Sequence, residues 1–322
     1  MTGIVDKAHK VFLENFPATT WFERALFFSW YCGTADCKYC YMSTQKGKAK
    51  PTARRSLSSL LAEVLLCKKL GWRIGFLSGG KDAYTQTDFV KLVKALSEAA
   101  QERLWINAGP LPKILIEDLR PYAKGVVASI ETVNPKVHAD VCPSKPVEPF
   151  LKIFDQAEGL QKGMTIILGL GETMDDFPLL KSFIKEHDIS KIHIYGLNPQ
   201  KGTVFEHVLP PLAEYQAEWI ARTRIAFPKI DIQAGIWADR VDAISLFFMA
   251  GANSISKFPA IRLFGGKEAQ TIEEQANLAG REFLGSMTRL PGNISLDLIP
   301  DILKEDVKVR LDRYLARMKK RT

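Results

Sequence analysis

Three thiols in one short segment, Cys32-Gly-Thr-Ala-Asp-Cys37-Lys-Tyr-Cys40, are the strongest chemical signal in the chain. Thiolates from one loop can bind three irons of a [4Fe-4S] cubane and leave the fourth iron open to a non-protein ligand. A zinc ion would seek a fourth Cys or His close by, and after Cys40 the next of either is Cys67. The cysteines number five and are so unevenly spread that a disulfide framework explains them poorly. Cys67 falls in a helical pattern and reads as a packing residue, whereas Cys142, in Asp140-Val-Cys-Pro143, lies in a loop that could reach a site.

The histidines, His9, His138, His187, His193 and His207, form no metal spacing. His193 and Tyr195 alternate with Ile192 and Ile194, so a strand here sends both polar rings to one face, where they could act on substrate. A structural histidine satisfied by its neighbours is the plainer alternative for His193.

Such residues need a frame. Apolar, β-rich runs recur near Ala25–Trp30, Arg73–Ser78, Leu104–Ala108, Gly125–Ile130, Met164–Gly169, Lys191–Leu197, Asp231–Ile236 and Ser254–Lys257. Between them, Leu57–Leu70, Asp88–Ala100, Pro146–Gln161, Asp176–Glu186 and Leu212–Ala226 repeat apolar residues at helical spacing. The alternation predicts an α/β fold, a parallel (β/α) TIM-type barrel, full or nearly full. Gly-rich turns at strand ends, such as Ser78-Gly79-Gly80, let backbone approach a ligand at the C-terminal face. The expected divisions are an N-terminal helical extension over 1–24, the barrel over 25–266 and a C-terminal helical extension over 267–322. Within these extensions, Met1–Glu23, Gln270–Phe283 and Asp297–Lys319 read as helical.

The formal net charge is +8, but Lys and Arg are interleaved with Asp and Glu along the length, which fits a solvated surface and argues against a nucleic-acid partner. The dense basic cluster, Arg317 to Arg321, ends a helical pattern and suits a helix C-terminus. No apolar run is long enough to span a membrane and the start lacks a signal-peptide pattern, so a soluble, cytoplasmic protein is expected.

The cysteine loop resembles the radical S-adenosylmethionine (SAM) superfamily, and the resemblance runs from Ala25 to about Gly266. The family loop is normally C-x3-C-x2-C, so this chain carries one extra residue between Cys32 and Cys37. Tyr39 is similar to the aromatic that contacts adenine. Ser78-Gly79-Gly80-Lys81 resembles the family's Gly-Gly-Glu segment at the methionine amino group, with Lys81 in place of the acid. Ser129-Ile130-Glu131-Thr132 resembles the segment at the ribose and methionine, and the stretch from Thr165 through Leu168 to Thr173 resembles the fifth strand against adenine. Ile194 to Pro199 and Phe248 to Ile255 match the branch of biotin synthase, hydrogenase maturase and methylornithine synthase.

The resemblance implies cluster ligands Cys32, Cys37 and Cys40, and SAM held by Tyr39, Gly79, Gly80, Ser129, Glu131 and Leu168. It implies reductive cleavage of SAM to a 5′-deoxyadenosyl radical that takes hydrogen from a small-molecule or carrier-bound substrate. The barrel interior at Asn107, His193, Tyr195 and Gln233 to Trp237 would frame that substrate. An electron donor such as ferredoxin or flavodoxin is implied. Where biotin synthase places cysteines for a second cluster, this chain has Ser78, Asn107 and the neighbourhood of Gly163, so that cluster is expected to be absent. Three functions remain open: sulfur insertion in lipoyl biosynthesis, alongside a second radical SAM protein; a sulfur-independent rearrangement or cleavage of an amino-acid-like molecule; and a noncatalytic cluster-binding partner subunit.

Overall fold

The computed structural model describes residues 2–45, 47 and 49–320. Met1, Arg321 and Thr322, at the ends of the expected terminal extensions and basic cluster, lie outside the described residues. Eight parallel strands close on themselves: β1 (Thr19–Ser29), β2 (Arg73–Gly79), β3 (Leu104–Asn107), β4 (Ala123–Glu131), β5 (Gln161–Leu168), β6 (Lys191–Gly196), β7 (Asp231–Gly235) and β8 (Ser254–Ser256). The strands follow chain order from β2 to β8, and β1 pairs with both β8 and β2 to complete the ring. The chain therefore forms a TIM-type barrel with helices packed outside.

Local chemistry sets the boundaries. The helix Leu57–Leu70 begins where the Ser56 side chain accepts from the Ser59 amide and ends at Gly71, whose φ of 71° suits a residue without Cβ. Three sequence expectations are corrected. The N-terminal helix stops at Asn15, and Thr19–Glu23, expected to continue it, already belongs to β1, because Pro17 interrupts the helix and the Thr and aromatic residues that follow favour a strand. The helix expected over Pro146–Gln161 spans Glu148–Gln156, and Gln161 opens β5. Phe283, expected in a helix, lies in a ninth strand, β9 (Glu282–Leu284), which pairs with the start of β1 after Gly280 ends the helix Lys267–Leu278. Among the described residues, no helix is long and apolar enough to cross a membrane.

The barrel interior is polar at its base. Lys191 and Asp231 open β6 and β7, and the Lys191 ammonium lies 2.8 Å from one Glu23 oxygen and 2.9 Å from Asp231. Trp21, Ser254 and Gln233 also donate to Glu23. Burial alone would raise the Glu23 pKa, but the adjacent Lys191 charge and the hydrogen bonds from Lys191 and Trp21 outweigh it and hold the carboxyl at about 2. Phe76, Trp105 and Val127 form a small apolar plug within the strands. Nearer the C-terminal strand ends this packing gives way to open space.

Candidate active site

The cysteine loop leaves the end of β1 and is fastened to its neighbours by main-chain hydrogen bonds. The Gly33 amide donates to Lys81, the Lys38 amide to Val141, and the Val204 amide to the Lys38 carbonyl, at 2.9–3.0 Å. Ala35, inside the longer Cys32–Cys37 spacing, has left-handed backbone with φ 45°, which turns the extra length within the loop.

Gly79 and Gly80 lie directly beneath this crossing. A Cβ on Gly80 would stand 1.9 Å from the Tyr31 carbonyl oxygen and 2.6 Å from the Cys32 Cβ; one on Gly79 would meet the Phe28 ring at 2.2 Å. Small residues there serve packing as well as any ligand approach. Gly80→Ala is expected to displace the first cysteine and to cost about 1–3 kcal/mol through overpacking. Its measure is iron retained after reconstitution together with the thermal midpoint, both lower than in the wild type.

Cys32, Cys37, Tyr39, Cys40, Gly79, Gly80, Ser129 and Glu131 all line one cavity of about 260 Å³. Eight of the expected site residues thus converge. Among the described residues, no three Cys, His, Asp or Glu side chains are grouped to hold a single metal ion. A cubane asks for something else, since each thiolate binds a different iron, and three half-buried thiols around one cavity fit that demand. The Cys37 thiol pKa is raised by its hydrogen bond with Cys142 and then by burial, and burial pushes that of Cys40 up to about 11. Iron binding therefore has to release protons at this loop.

Glu131 ends β4 with a left-handed φ of 66°, at a register shift against β5. Its carboxylate accepts from the Lys145 ammonium at 2.5 Å, and the same ammonium donates to the Ser129 carbonyl. Burial would lower the Lys145 pKa, but Glu131 outweighs it and the pKa is raised. The Lys145 carbonyl in turn lies 2.8 Å from His138 Nε2, which fixes the loop carrying the lysine. Sequence reasoning missed Lys145, because it stands in a Pro-flanked loop without periodicity; the only available signal was its proximity to Cys142.

Leu168 does not line this cavity. It is buried in the core between barrel and helices, while Ile167, one residue earlier, faces the interior and lines a second cavity. The expected strand was right and its phase was off by one, which exchanges the two faces. The second cavity, about 460 Å³, is lined by Trp30, Tyr39, Cys40, Met42, Tyr195, Trp237 and Lys257 among others. Tyr195 donates to Gln233 at 2.7 Å, so the polar base connects upward to this floor.

His193 departs from the expectation that it acts on substrate. It lines neither cavity, is fully buried, and meets the Phe76 ring edge-on at 5.0 Å. Burial first and Lys191 second lower its pKa to about 3, so the imidazole is neutral. Of the remaining expected framing residues, Asn107 lines the cysteine-side cavity and accepts from Ser129, Trp237 lines the larger one, and Gln233 is buried below. Ser78 lines the cysteine-side cavity, and Gly163 packs close to Val127 and Trp105. Cys67 is buried in the core as expected, and Cys142 packs against Tyr39, Cys37 and Cys40 beneath the loop.

Residues 31–184 match the family model described as the Radical SAM superfamily. Along its length the chain is 37% identical to an uncharacterized protein of Methanocaldococcus jannaschii, covering 97% of this chain and 93% of that protein. It is 21% identical to a biotin synthase of Thermotoga neapolitana over 77% of this chain and 86% of the relative. A crystal structure of methylornithine synthase superposes with a TM-score of 0.74 at 19% identity, covering 96% of this chain and 91% of that one, a likeness of fold.

Proposed function

Because the chain belongs to the radical SAM superfamily, we propose that its barrel holds one organic substrate in the larger cavity and removes a hydrogen atom from it. The reaction proposed is a rearrangement or cleavage that transfers no sulfur. Members of the superfamily use a [4Fe-4S] cluster and SAM. When bound, this pair supplies a hydrogen-abstracting carbon radical by reductive cleavage of SAM, with the electron delivered by a donor such as ferredoxin or flavodoxin.

The chain's own residues supply position and exclusion of water. Cys32, Cys37 and Cys40 hold the cluster. Tyr39, Gly79, Gly80, Ser129 and Glu131 surround the SAM side, and Glu131, fixed by Lys145, offers acceptor oxygens to ribose hydroxyls or the amino group. Tyr39, Cys40 and Met42 form the wall shared with the larger cavity, where the substrate would lie within reach. The ion-paired base and apolar plug close the opposite end.

The placement of the two other thiols carries the sulfur-free reading. Cys67 is on the buried face of the helix Leu57–Leu70 and Cys142 lies beneath the cysteine loop, and neither lines the larger cavity. Sulfur insertion of the lipoyl kind needs a second source of sulfide, from an auxiliary cluster or a second radical SAM protein. The test is iron and sulfide per chain after anaerobic reconstitution, with 5′-deoxyadenosine formation measured on reduction. About four of each, with SAM cleaved, supports the proposal. About eight of each overturns the sulfur-free reading, and no SAM cleavage leaves a noncatalytic cluster-binding subunit.

Glu131→Gln should weaken SAM binding about tenfold or more, since a charge-assisted contact is lost and Lys145 is left buried without its carboxylate. Equilibrium binding of SAM to the anaerobic protein measures this, and an unchanged affinity would remove Glu131 from the contact.

A further inference from the structure

Lys257 follows β8 at the floor of the larger cavity and has no role in holding the cluster or in the base ion pairs. Its backbone is left-handed, with φ 72°, a conformation that a lysine adopts at a cost and that persists only where the surroundings impose it. The ammonium lies 4.6 Å from the Tyr195 ring centroid and 5.8 Å from that of Phe76. Among the described residues no carboxylate pairs with it: Glu131 is engaged by Lys145, and Glu23 and Asp231 by Lys191. Nor does any Asp or Glu line the cavity, whose remaining walls include Trp30, Ile167, Leu197 and Trp237. One cation with no carboxylate in ion-pair range thus stands in a chamber whose other walls are mostly aromatic and aliphatic, with the uncharged amides of Asn198 and Gln200 among them.

We infer that Lys257 anchors the carboxylate of a monoanionic substrate whose body is apolar, and that the chamber selects organic acids over amines and zwitterions. This rests on the reading of the larger cavity as the substrate site and deepens it. A carboxylate would supply the missing charge, and Tyr195 and Phe76 flank the ammonium so that it stays directed into the space. A free amino acid fits less well, because its ammonium would enter a chamber without an acid to receive it. A phosphate dianion would leave one of its charges unmatched. Burial lowers the Lys257 pKa to about 8, against the pull of Glu131 and Cys40, so at neutral pH the side chain is still mostly protonated and an incoming anion would raise the pKa again.

The experiment uses the anaerobically reconstituted full chain with SAM bound, and follows the fluorescence of Trp30 and Trp237 on titration with hexanoate and phenylacetate beside their neutral amides. The acids are expected to bind the wild type about ten- to a hundredfold more tightly than the amides. Lys257→Met, which keeps the apolar stem, should abolish that preference, and Lys257→Arg should keep most of it. Thermal melts establish that both variants fold. Equal affinity of acid and amide for the wild type, or no saturable binding of either, overturns the anchor. So does a Lys257→Met protein that retains the acid preference, or one whose only defect is loss of iron, which would assign Lys257 to the charge balance of the cysteine loop. Binding of SAM to the wild type, measured separately, tests the underlying site reading: its failure sinks that reading, whereas equal acid and amide affinities with SAM bound sink only the anchor.

Discussion

Replacing Cys32, Cys37 and Cys40 together with alanine is expected to remove the cluster's visible absorption completely and to abolish SAM cleavage, while the fold survives. The three thiols line one cavity at the mouth of the barrel and are only half-buried, so their loss empties no part of the main core. Without them the thiols left among the described residues are Cys67 and Cys142, both buried, and two cannot replace three in holding the irons. Cys142→Ala is the appropriate control. It removes a thiol that packs against the loop from outside the C-x4-C-x2-C run, and it should leave about four irons per chain. Full iron content in the triple variant would overturn the ligand assignment.

Lys191→Met should produce the largest loss of stability. The lysine and Glu23 are buried together, with side chains 4% and 3% exposed, and removing the cation leaves a carboxylate sealed inside the barrel without its main partner. The expected cost is about 3–5 kcal/mol, or roughly a 5 °C fall in thermal midpoint for a chain of this length. The double variant Lys191→Met with Glu23→Gln removes both charges and should recover most of the loss. The pH dependence has a definite sign. Glu23 has a folded-state pKa of about 2, below its unfolded value near 4.5, so its stabilisation is complete above the unfolded value and is lost as pH falls through about 2. Unfolding curves between those limits should steepen for the wild type and lose this component in Lys191→Met. A variant as stable as the wild type would mean that the base ion pair is dispensable.

What the sequence disclosed follows from how much of each feature is local. The helix Leu57–Leu70 was legible to the residue because Ser56 and Gly71 cap it within the chain itself. The cysteine loop was legible because its spacing alone constrains the chemistry. β9, by contrast, has three residues and exists only because β1 offers it an edge. The exchange of Leu168 for Ile167 shows the same limit at finer scale: a continuous apolar strand buried on both faces carries no alternation to fix which side chains point inward. His193 shared the inward phase of Tyr195 but sat one pleat deeper, where Phe76 and Lys191 close around it. Lys145 and Lys257 owe their places to a loop and to a left-handed turn, and neither leaves a periodic trace.

The wall of Tyr39, Cys40 and Met42 has two faces, one toward the cysteine-side cavity and one toward the larger cavity. Any adjustment of that wall by one occupant is felt by the other, so the two binding equilibria form a thermodynamic cycle. Whatever factor the substrate contributes to SAM affinity, SAM must return to substrate affinity. If the first occupant settles the wall into its receptive arrangement, the second no longer bears that cost, and the pair loads cooperatively. Radical formation would then be favoured when both partners are in place, a safeguard written into a single segment of three side chains.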